Sequence, residues 1–151
     1  MTEAQEYARA VDAGVYPTGP DVPIDIGLTD HRGEIANLLL TPITSVARIT
    51  SKRGTVRANH YHRTDWHYTF VEHGTVFYFE RAVGDDSVPA PRSFVSGEMF
   101  FTPPNIEHAM LFAEDCIIFT FAKNKRTHEE HESDVVRVDF VTPDIIAKYV
   151  P

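Results

Sequence analysis

Three histidines fall within one short stretch of the chain, at His60, His62 and His67. Residues two apart in a β-strand point to the same face about 7 Å apart, so His60 and His62 can bind one metal ion together. The four residues between His62 and His67 predict a turn, which brings His67 opposite the pair on the next strand. A fourth histidine, His108, follows a strand that ends at two prolines, and these fix the turn before it. This pattern predicts a metal site made of imidazoles from neighbouring strands.

The segments that must position these rings are short strands separated by turn residues. From residue 23 onwards, turn signals recur roughly every eight to twelve residues, which is typical of an all-β sandwich or barrel. The segments TVFYF and CIIFTF are apolar on both faces. We therefore expect one face to line the barrel interior and the other to pack against a second sheet, a terminal arm or another subunit. Near the N-terminus, residues 3–13 predict a short amphipathic helix with Thr2 as N-cap and Gly14 as its stop.

The stretch from Gly54 to Gly74 resembles the first motif of the cupin superfamily. That motif runs glycine, five residues, His-x-His, three or four residues, glutamate, six residues and glycine. Here the spacing is kept, with His60 and His62 as the pair, but His67 stands where the motif has glutamate.

The second cupin motif is matched by Gly97, Pro103 and His108 at its glycine, proline and histidine positions. Asn105 stands where a second glycine is usual, and asparagine also tolerates left-handed backbone angles. Phe112 stands where asparagine is common. The two motifs together span more than a third of the chain.

This resemblance implies an all-β fold, a cupin jelly-roll β-barrel (a double-stranded β-helix), with a short N-terminal helix. We expect residues 1–22 to form the helix and a linker arm, 23–140 the barrel, and 141–151 a C-terminal tail. The resemblance also implies a metal near the centre of the barrel.

Replacement of the glutamate by His67 has a chemical consequence. A carboxylate ligand would cancel one charge of a divalent cation, whereas four neutral imidazoles leave the full charge on the site, which makes a stronger Lewis acid. Imidazole suits several metals. We expect one divalent transition metal, Zn, Fe, Ni or Mn, bound by His60, His62, His67 and His108.

Three other residues are predicted to act in catalysis. Tyr78 can donate a proton or a hydrogen bond. Glu98 follows the second-motif glycine and Glu107 precedes His108, so either can serve as a general base or orient an imidazole. Trp66, in the turn before His67, is predicted to cap the pocket mouth.

Strand alternation predicts which neighbours share the face of His60. Counting by twos places Ala58 and Val56 toward the metal and places Arg57 and Asn59 on the opposite face.

The remaining histidines are predicted to lie outside the site. His31 and His73 fall in or beside turns, and His128 and His131 lie in an acidic stretch that we expect to be a solvated segment.

Composition limits the function classes. A chain of 151 residues predicts one domain, and a formal net charge of −8 argues against nucleic acid and anionic membranes as partners. With a single cysteine, Cys116, the chain cannot form an internal disulfide. Its apolar neighbours predict that Cys116 is a small buried hydrophobic residue. We expect a cytoplasmic protein, most simply a homodimer, that acts on a small molecule.

Three functions remain open from the sequence. The first is a metal-dependent isomerase, epimerase, lyase or cyclase that binds a small oxygenated substrate through the metal. The second is an Fe(II) or Ni(II) dioxygenase that cleaves an enol or diketone-like substrate. The third is a non-catalytic ligand- or sugar-binding protein; the histidine-rich segments also resemble small cupins of bacterial sugar-nucleotide or polysaccharide biosynthesis.

Overall fold

Eleven strands and three short helices follow one another in the computed structural model, which describes residues 1–151. None of the helices has the length and apolar character needed to cross a membrane. In chain order the elements are α1 (Glu3–Asp12), β1 (Asp25–Asp30), β2 (Gly33–Asn37), β3 (Ser45–Ser51), β4 (Val56–His62), β5 (His67–His73), β6 (Thr75–Ala82), β7 (Arg92–Val95), β8 (Met99–Thr102), β9 (Ile106–Phe112), β10 (Cys116–Ala122), α2 (His128–Asp134), β11 (Val135–Arg137) and α3 (Pro143–Tyr149).

Two antiparallel sheets make up the barrel. One has the strand order β3-β10-β5-β8 and the other β11-β4-β9-β6-β7, while β1 and β2 form a separate hairpin. The chain crosses repeatedly from one sheet to the other, as it does in a jelly roll. The all-β jelly-roll prediction, including the short N-terminal helix, is therefore confirmed.

Aromatic and aliphatic side chains fill the space between the two sheets. Cys116 is one of them and is a buried free thiol, as its apolar neighbours predicted. The buried members of this interior cluster are Val71, Val76, Tyr78, Phe94, Phe100, Met110, Phe112, Cys116 and Ile118.

The outer faces of the two sheets are covered by the ends of the same chain. Helix α1 begins with the predicted Thr2 cap, and its Val11 packs with Trp66 and Phe101 on the first sheet. The C-terminal segment, residues 138–150, packs on the second sheet through several apolar side chains, including Phe140. Trp66 is only 5% exposed because it packs against α1, so the prediction that it caps the pocket mouth is wrong.

A β-bulge in β4 changes which residues face the interior. Ala58 and Asn59 both have left-handed backbone angles, with φ of 72° and 54°, and the register shifts between Ala58 and His60. Arg57 therefore lies opposite Met110, an interior residue, while His60 lies opposite His108.

The bulge corrects the prediction made by counting in twos. Val56 and Ala58 do not share the face of His60. Val56 packs in the outer layer under the C-terminal segment, and Ala58 lies opposite Ala109 of the same layer. Arg57 is on the interior side, where its guanidinium donates to Ser51 Oγ and the Thr50 carbonyl. Asn59 points outward as expected, because its side chain bonds both backbone groups of Val141.

Candidate metal centre

Three of the four predicted ligands come together at one end of the barrel. His60 and His62 lie on β4 and His108 on β9, and each offers a nitrogen within 4.8 Å of those of the other two. Their ring centroids are 4.7 Å apart for His60 and His62, 4.8 Å for His60 and His108, and 5.4 Å for His62 and His108. The direct pairing of His60 with His108 across the two strands produces this convergence.

In two of these rings, Nδ1 lies within hydrogen-bond distance of a protein acceptor. His62 Nδ1 lies 3.0 Å from Asp134 Oδ2, and His108 Nδ1 lies 3.0 Å from the Ile106 carbonyl oxygen. Each acceptor fixes the proton on Nδ1, so each Nε2 carries a lone pair. Both Nε2 atoms are buried and have no hydrogen-bond partner. Metal-binding histidines usually donate one ring N–H to a carboxylate or carbonyl oxygen and bind the metal through the other nitrogen.

The three rings are neutral at physiological pH. Burial, together with a smaller effect of the neighbouring imidazoles, lowers the pKa of His60, His62 and His108 to about 3 in each case. Metal ions bind the neutral ring, so the group is ready to accept a cation without releasing protons.

His67 lies beside this group but is held differently. Its centroid is 5.5 Å from those of His62 and His108, yet its Nδ1 accepts a hydrogen bond from Arg126 Nη2 at 3.1 Å. Because a guanidinium only donates, the neutral His67 ring carries its proton on Nε2. That nitrogen is a donor and has no lone pair for a metal. In this structure His67 is therefore presented as a donor, and its role as a fourth metal ligand stays a prediction.

A polar network supports the rings from outside. Asp134 accepts from both the backbone and the side chain of Thr64, and Asp65 accepts from Arg126 and from Asn124. His62, Asp65 and Asp134 also satisfy the distances of a second metal cluster. Both carboxylates are already engaged with protein donors, so we interpret this second cluster as the support of the imidazoles.

The structure places the three predicted catalytic residues apart from the imidazole group. Tyr78 is an interior residue whose hydroxyl bonds Thr102 Oγ1 at 2.8 Å, and burial raises its pKa well above the usual value. Thr102 is the cross-strand partner of His67, so Tyr78 reaches the neighbourhood of the site only through that hydroxyl.

The two glutamates do not reach the imidazoles. Glu107 is buried in an ion pair with Arg81 at 2.9 Å and also accepts from the Gly84 backbone. Adjacent residues of a strand face opposite ways, so Glu107 lies on the other side of β9 from His108. Glu98 is exposed and accepts from the Val95 backbone at the turn before β8. Neither glutamate therefore contacts the imidazole group in this structure, and a catalytic role for either stays a prediction.

Sequence reasoning missed the contribution of α2. His131 is half-buried, with its ring centroid 5.9 Å from that of His60 and 5.7 Å from that of His62. The prediction of a solvated position is wrong for His131, whereas His128, His31 and His73 are exposed as expected. Only the pairing of Val135 with His62, which brings the end of α2 over β4, reveals the contact.

The groove beside α2 has a volume of about 430 Å³ and contains no apolar side chain. A larger groove of about 610 Å³ is bordered by Arg57 and Cys116. Neither groove is lined by His60, His62, His67 or His108, but the groove beside α2 borders the imidazole group through His131 and Asp134. The residues of the groove beside α2 are Arg63, Thr64, Asp65, Asn124, Lys125, Glu130, His131, Ser133 and Asp134.

Comparison with known proteins identifies relatives by structure alone. No protein-family model matches the chain, and no curated protein matches it. A 3,4-ketoisomerase from Helicobacter canadensis superposes with a TM-score of 0.61 at 14% identity, covering 86% of this chain and 93% of that one. A dTDP-4-dehydrorhamnose 3,5-epimerase from Sulfolobus tokodaii gives 0.59 at 16% identity, with 82% and 80% covered.

A third match is the capsular polysaccharide assembling protein CapF from Staphylococcus aureus, with a TM-score of 0.57 and 20% identity. It covers 78% of this chain and 33% of CapF. At these identities the three matches show a shared fold, the cupin jelly roll.

Proposed function

We propose that this protein is a metal-dependent isomerase or epimerase that acts on a small carbonyl-bearing molecule, with His60, His62 and His108 as metal ligands. The observation that carries the proposal is the pair of buried, unpartnered Nε2 atoms of His62 and His108, which converge with His60. A buried polar atom without a partner costs roughly 1–3 kcal/mol, which a bound cation would offset.

The donor set fits a borderline transition metal. Three neutral imidazoles suit Zn, Fe and Ni, and Mn less strongly. Three protein ligands also leave coordination positions for a further group, as in catalytic zinc sites. When bound, such an ion would supply Lewis acidity toward a carbonyl oxygen of the substrate.

The chain itself supplies a donor and positive charge beside the imidazole group. The Arg126 guanidinium fixes the His67 ring with its Nε2–H available, and His67 is buried. A donor next to a cationic guanidinium favours a substrate oxygen that gains negative charge during the reaction. In this proposal His67 binds and orients that oxygen.

The groove beside α2 borders the imidazole group through His131 and Asp134, and its lining has no apolar side chain, so the part of a substrate that extends into it is polar or sugar-like rather than apolar. One structurally similar protein is the dTDP-4-dehydrorhamnose 3,5-epimerase. Another, a 3,4-ketoisomerase from Thermoanaerobacterium thermosaccharolyticum with a TM-score of 0.59 and 14% identity, was solved in complex with TDP-4-keto-6-deoxyglucose. We therefore propose a keto-sugar, carried on a nucleotide, as the substrate class.

A metal-independent isomerase is the second candidate. His62 and Asp134 form a buried pair at 3.0 Å, the arrangement of a histidine base oriented by a carboxylate. The pKa of His62 is lowered to about 3, which makes the ring a weak proton acceptor at neutral pH. The observation that favours the metal-dependent proposal is that the buried Nε2 atoms of both His62 and His108 have no hydrogen-bond partner.

One set of measurements separates these candidates. Elemental analysis of the purified protein should find about one equivalent of a transition metal, lost in His60→Ala and retained in the exposed control His73→Ala. Proton NMR in deuterium oxide should then show exchange next to the ketone of TDP-4-keto-6-deoxyglucose, abolished by chelation and restored by metal. Exchange that survives chelation would support the metal-independent reaction, and oxygen consumption would indicate a dioxygenase.

We also propose a homodimer in which the β1–β2 hairpin is covered. Ile26, Leu28 and Ile35 on this hairpin are 50%, 43% and 57% exposed, and an isolated two-stranded hairpin is marginally stable in water. Sedimentation velocity of the wild-type protein should give about twice the 17.1 kDa chain mass. A monomer at micromolar concentration would contradict this proposal.

A further inference from the structure

A fifth imidazole lies at the edge of the metal centre. The centroid of His131 is 5.7 Å from that of His62 and 5.9 Å from that of His60, against 5.4 Å between His62 and His108. The His131 nitrogens lie outside the group whose atoms are all within 4.8 Å of one another, so the ring would have to turn toward His60 and His62 to bind the same cation. The rings of His62, His67 and His108 are each held by a protein hydrogen bond. No side-chain hydrogen bond of the protein involves the His131 ring, so its nitrogens are free to bind a cation.

The helix that carries His131 is not held in place by apolar packing. Helix α2 has no buried residue and begins at the Thr127 cap. Its C-terminal end is fixed because Asp134 bonds His62 and Thr64. The two histidines of α2 differ, because His131 is half-buried against the imidazoles while His128 is exposed. The same contacts that orient His62 therefore also hold His131 over the site.

We propose that His131 is the fourth nitrogen ligand of the metal centre, in the place that the motif spacing assigned to His67. This inference rests on the proposed metal site and deepens it. The centre then has three ligands from the barrel wall and one from α2. His67, held by Arg126, remains available to the substrate. The cation also ties α2 to β4, so metal binding should order residues 128–134.

The test uses Co(II) as the probe, because its visible absorption reports ligand number and its affinity can be titrated. Metal-free wild-type protein is compared with His131→Ala. The matched controls are His128→Ala on the exposed side of the same helix and His67→Ala beside the site. We expect His131→Ala to weaken Co(II) binding by about tenfold or more, since loss of a supporting residue alone costs about 10–100-fold. Its visible spectrum should also change as water replaces nitrogen, whereas both controls should stay within about threefold of wild type.

Hydrogen–deuterium exchange gives a second readout that does not depend on activity. Co(II) should slow exchange of the α2 amides in the wild-type protein and leave it unchanged in His131→Ala. Thermal unfolding of each metal-free variant identifies any that fails to fold, and a His131→Gln variant then replaces His131→Ala.

The possible results separate this inference from the proposed function. If His131→Ala binds Co(II) with wild-type affinity and spectrum while His60→Ala does not bind it, the three-histidine centre stands and the role of His131 is overturned. If His67→Ala alone changes the spectrum, His67 is the fourth ligand and the inference is likewise overturned. If the wild-type protein binds no Co(II), the proposed metal centre and this inference both fail.

Discussion

The histidines of the proposed metal centre differ in the hydrogen-bond partner of the ring nitrogen that points away from the centre. A carboxylate holds His62 and a carbonyl oxygen holds His108, so both present a lone pair inward. A guanidinium holds His67, so that ring presents a proton. In the proposed site, the partner behind the ring therefore distinguishes His62 and His108 as ligands from His67 as a substrate donor.

If the proposed metal centre is correct, Asp134 should be required for tight metal binding although it would not itself be a ligand. Asp134→Asn replaces a charged acceptor by an amide, which weakens the hold on the His62 Nδ1 proton and makes Nε2 a poorer ligand. We expect metal affinity to fall by about 10–100-fold, measured by competition with a chromophoric chelator. Asp144→Asn, at an exposed position of α3, is the control. Equal affinities for the two variants, both folded by circular dichroism, would show that Asp134 has no role at the metal.

At the scale of the strand, the bulge in β4 sets the direction of the histidine pair. Ala58 and Asn59 adopt left-handed angles, and without the extra residue His60 would face outward, as Val56 does. Bulges often re-aim side chains next to active sites. Asn59 stabilises the distortion through its two bonds to Val141, which also fix the start of the C-terminal segment.

Replacement of Ala58 by glycine should leave stability unchanged or raise it. A left-handed alanine is strained by about 1–2 kcal/mol, and glycine removes this strain while its greater freedom in the unfolded chain costs about 0.5–1 kcal/mol. In Ala47→Gly, on the regular strand β3, only the cost applies. Urea denaturation should therefore rank Ala58→Gly above Ala47→Gly by about 1–2 kcal/mol. If both lose the same stability, the bulge is not strained in solution.

A turn beyond β5 gives a second prediction at this scale. A Cβ added to Gly74, which has φ of +95°, would lie 2.5 Å from Cys116 Sγ and 2.8 Å from the Asp115 carbonyl oxygen. The same atom at Gly84, with φ of +86°, would meet nothing within 4 Å. Both alanine variants carry backbone strain, but only Gly74→Ala adds overlap with the core. We expect Gly74→Ala to lower the melting temperature well below that of Gly84→Ala, and equal melting temperatures would contradict this packing.

Sequence reasoning succeeded where the determinants are local and failed where they are distant. Turn signals and the two motifs located the strands and three histidines that converge, and Asn105 is left-handed, as its place in the motif required. No glycine marks the bulge at Ala58 and Asn59, so the alternation error could not be avoided. The orientation of His67 depends on Arg126, which lies 59 residues away. The approach of His131 likewise depends on strand pairing that no local pattern encodes.

For the whole molecule, both chain ends close the outside of the barrel. Helix α1 and the C-terminal segment cover the outer faces of the two sheets, so the interior can hold a polar site at one end without exposing the core. The consequence is a group of buried, neutral imidazoles whose rings the unfolded chain would expose to water.

This arrangement predicts that the metal-free protein is destabilised by acid well above the pH at which carboxylates titrate. Burial lowers the pKa of His60, His62 and His108 to about 3, whereas each is near 6.5 in the unfolded chain. The unfolded state therefore binds more protons as the pH falls through 6.5, and stability that is complete above 6.5 is lost progressively toward pH 3. Between pH 7 and pH 5 the loss should be about 2 kcal/mol for each of these histidines. Urea denaturation at half-unit pH steps measures it, and His108→Gln should reduce the slope by about one proton. A free energy of unfolding that stays flat from pH 7 to pH 5 would mean that the rings are not buried in solution.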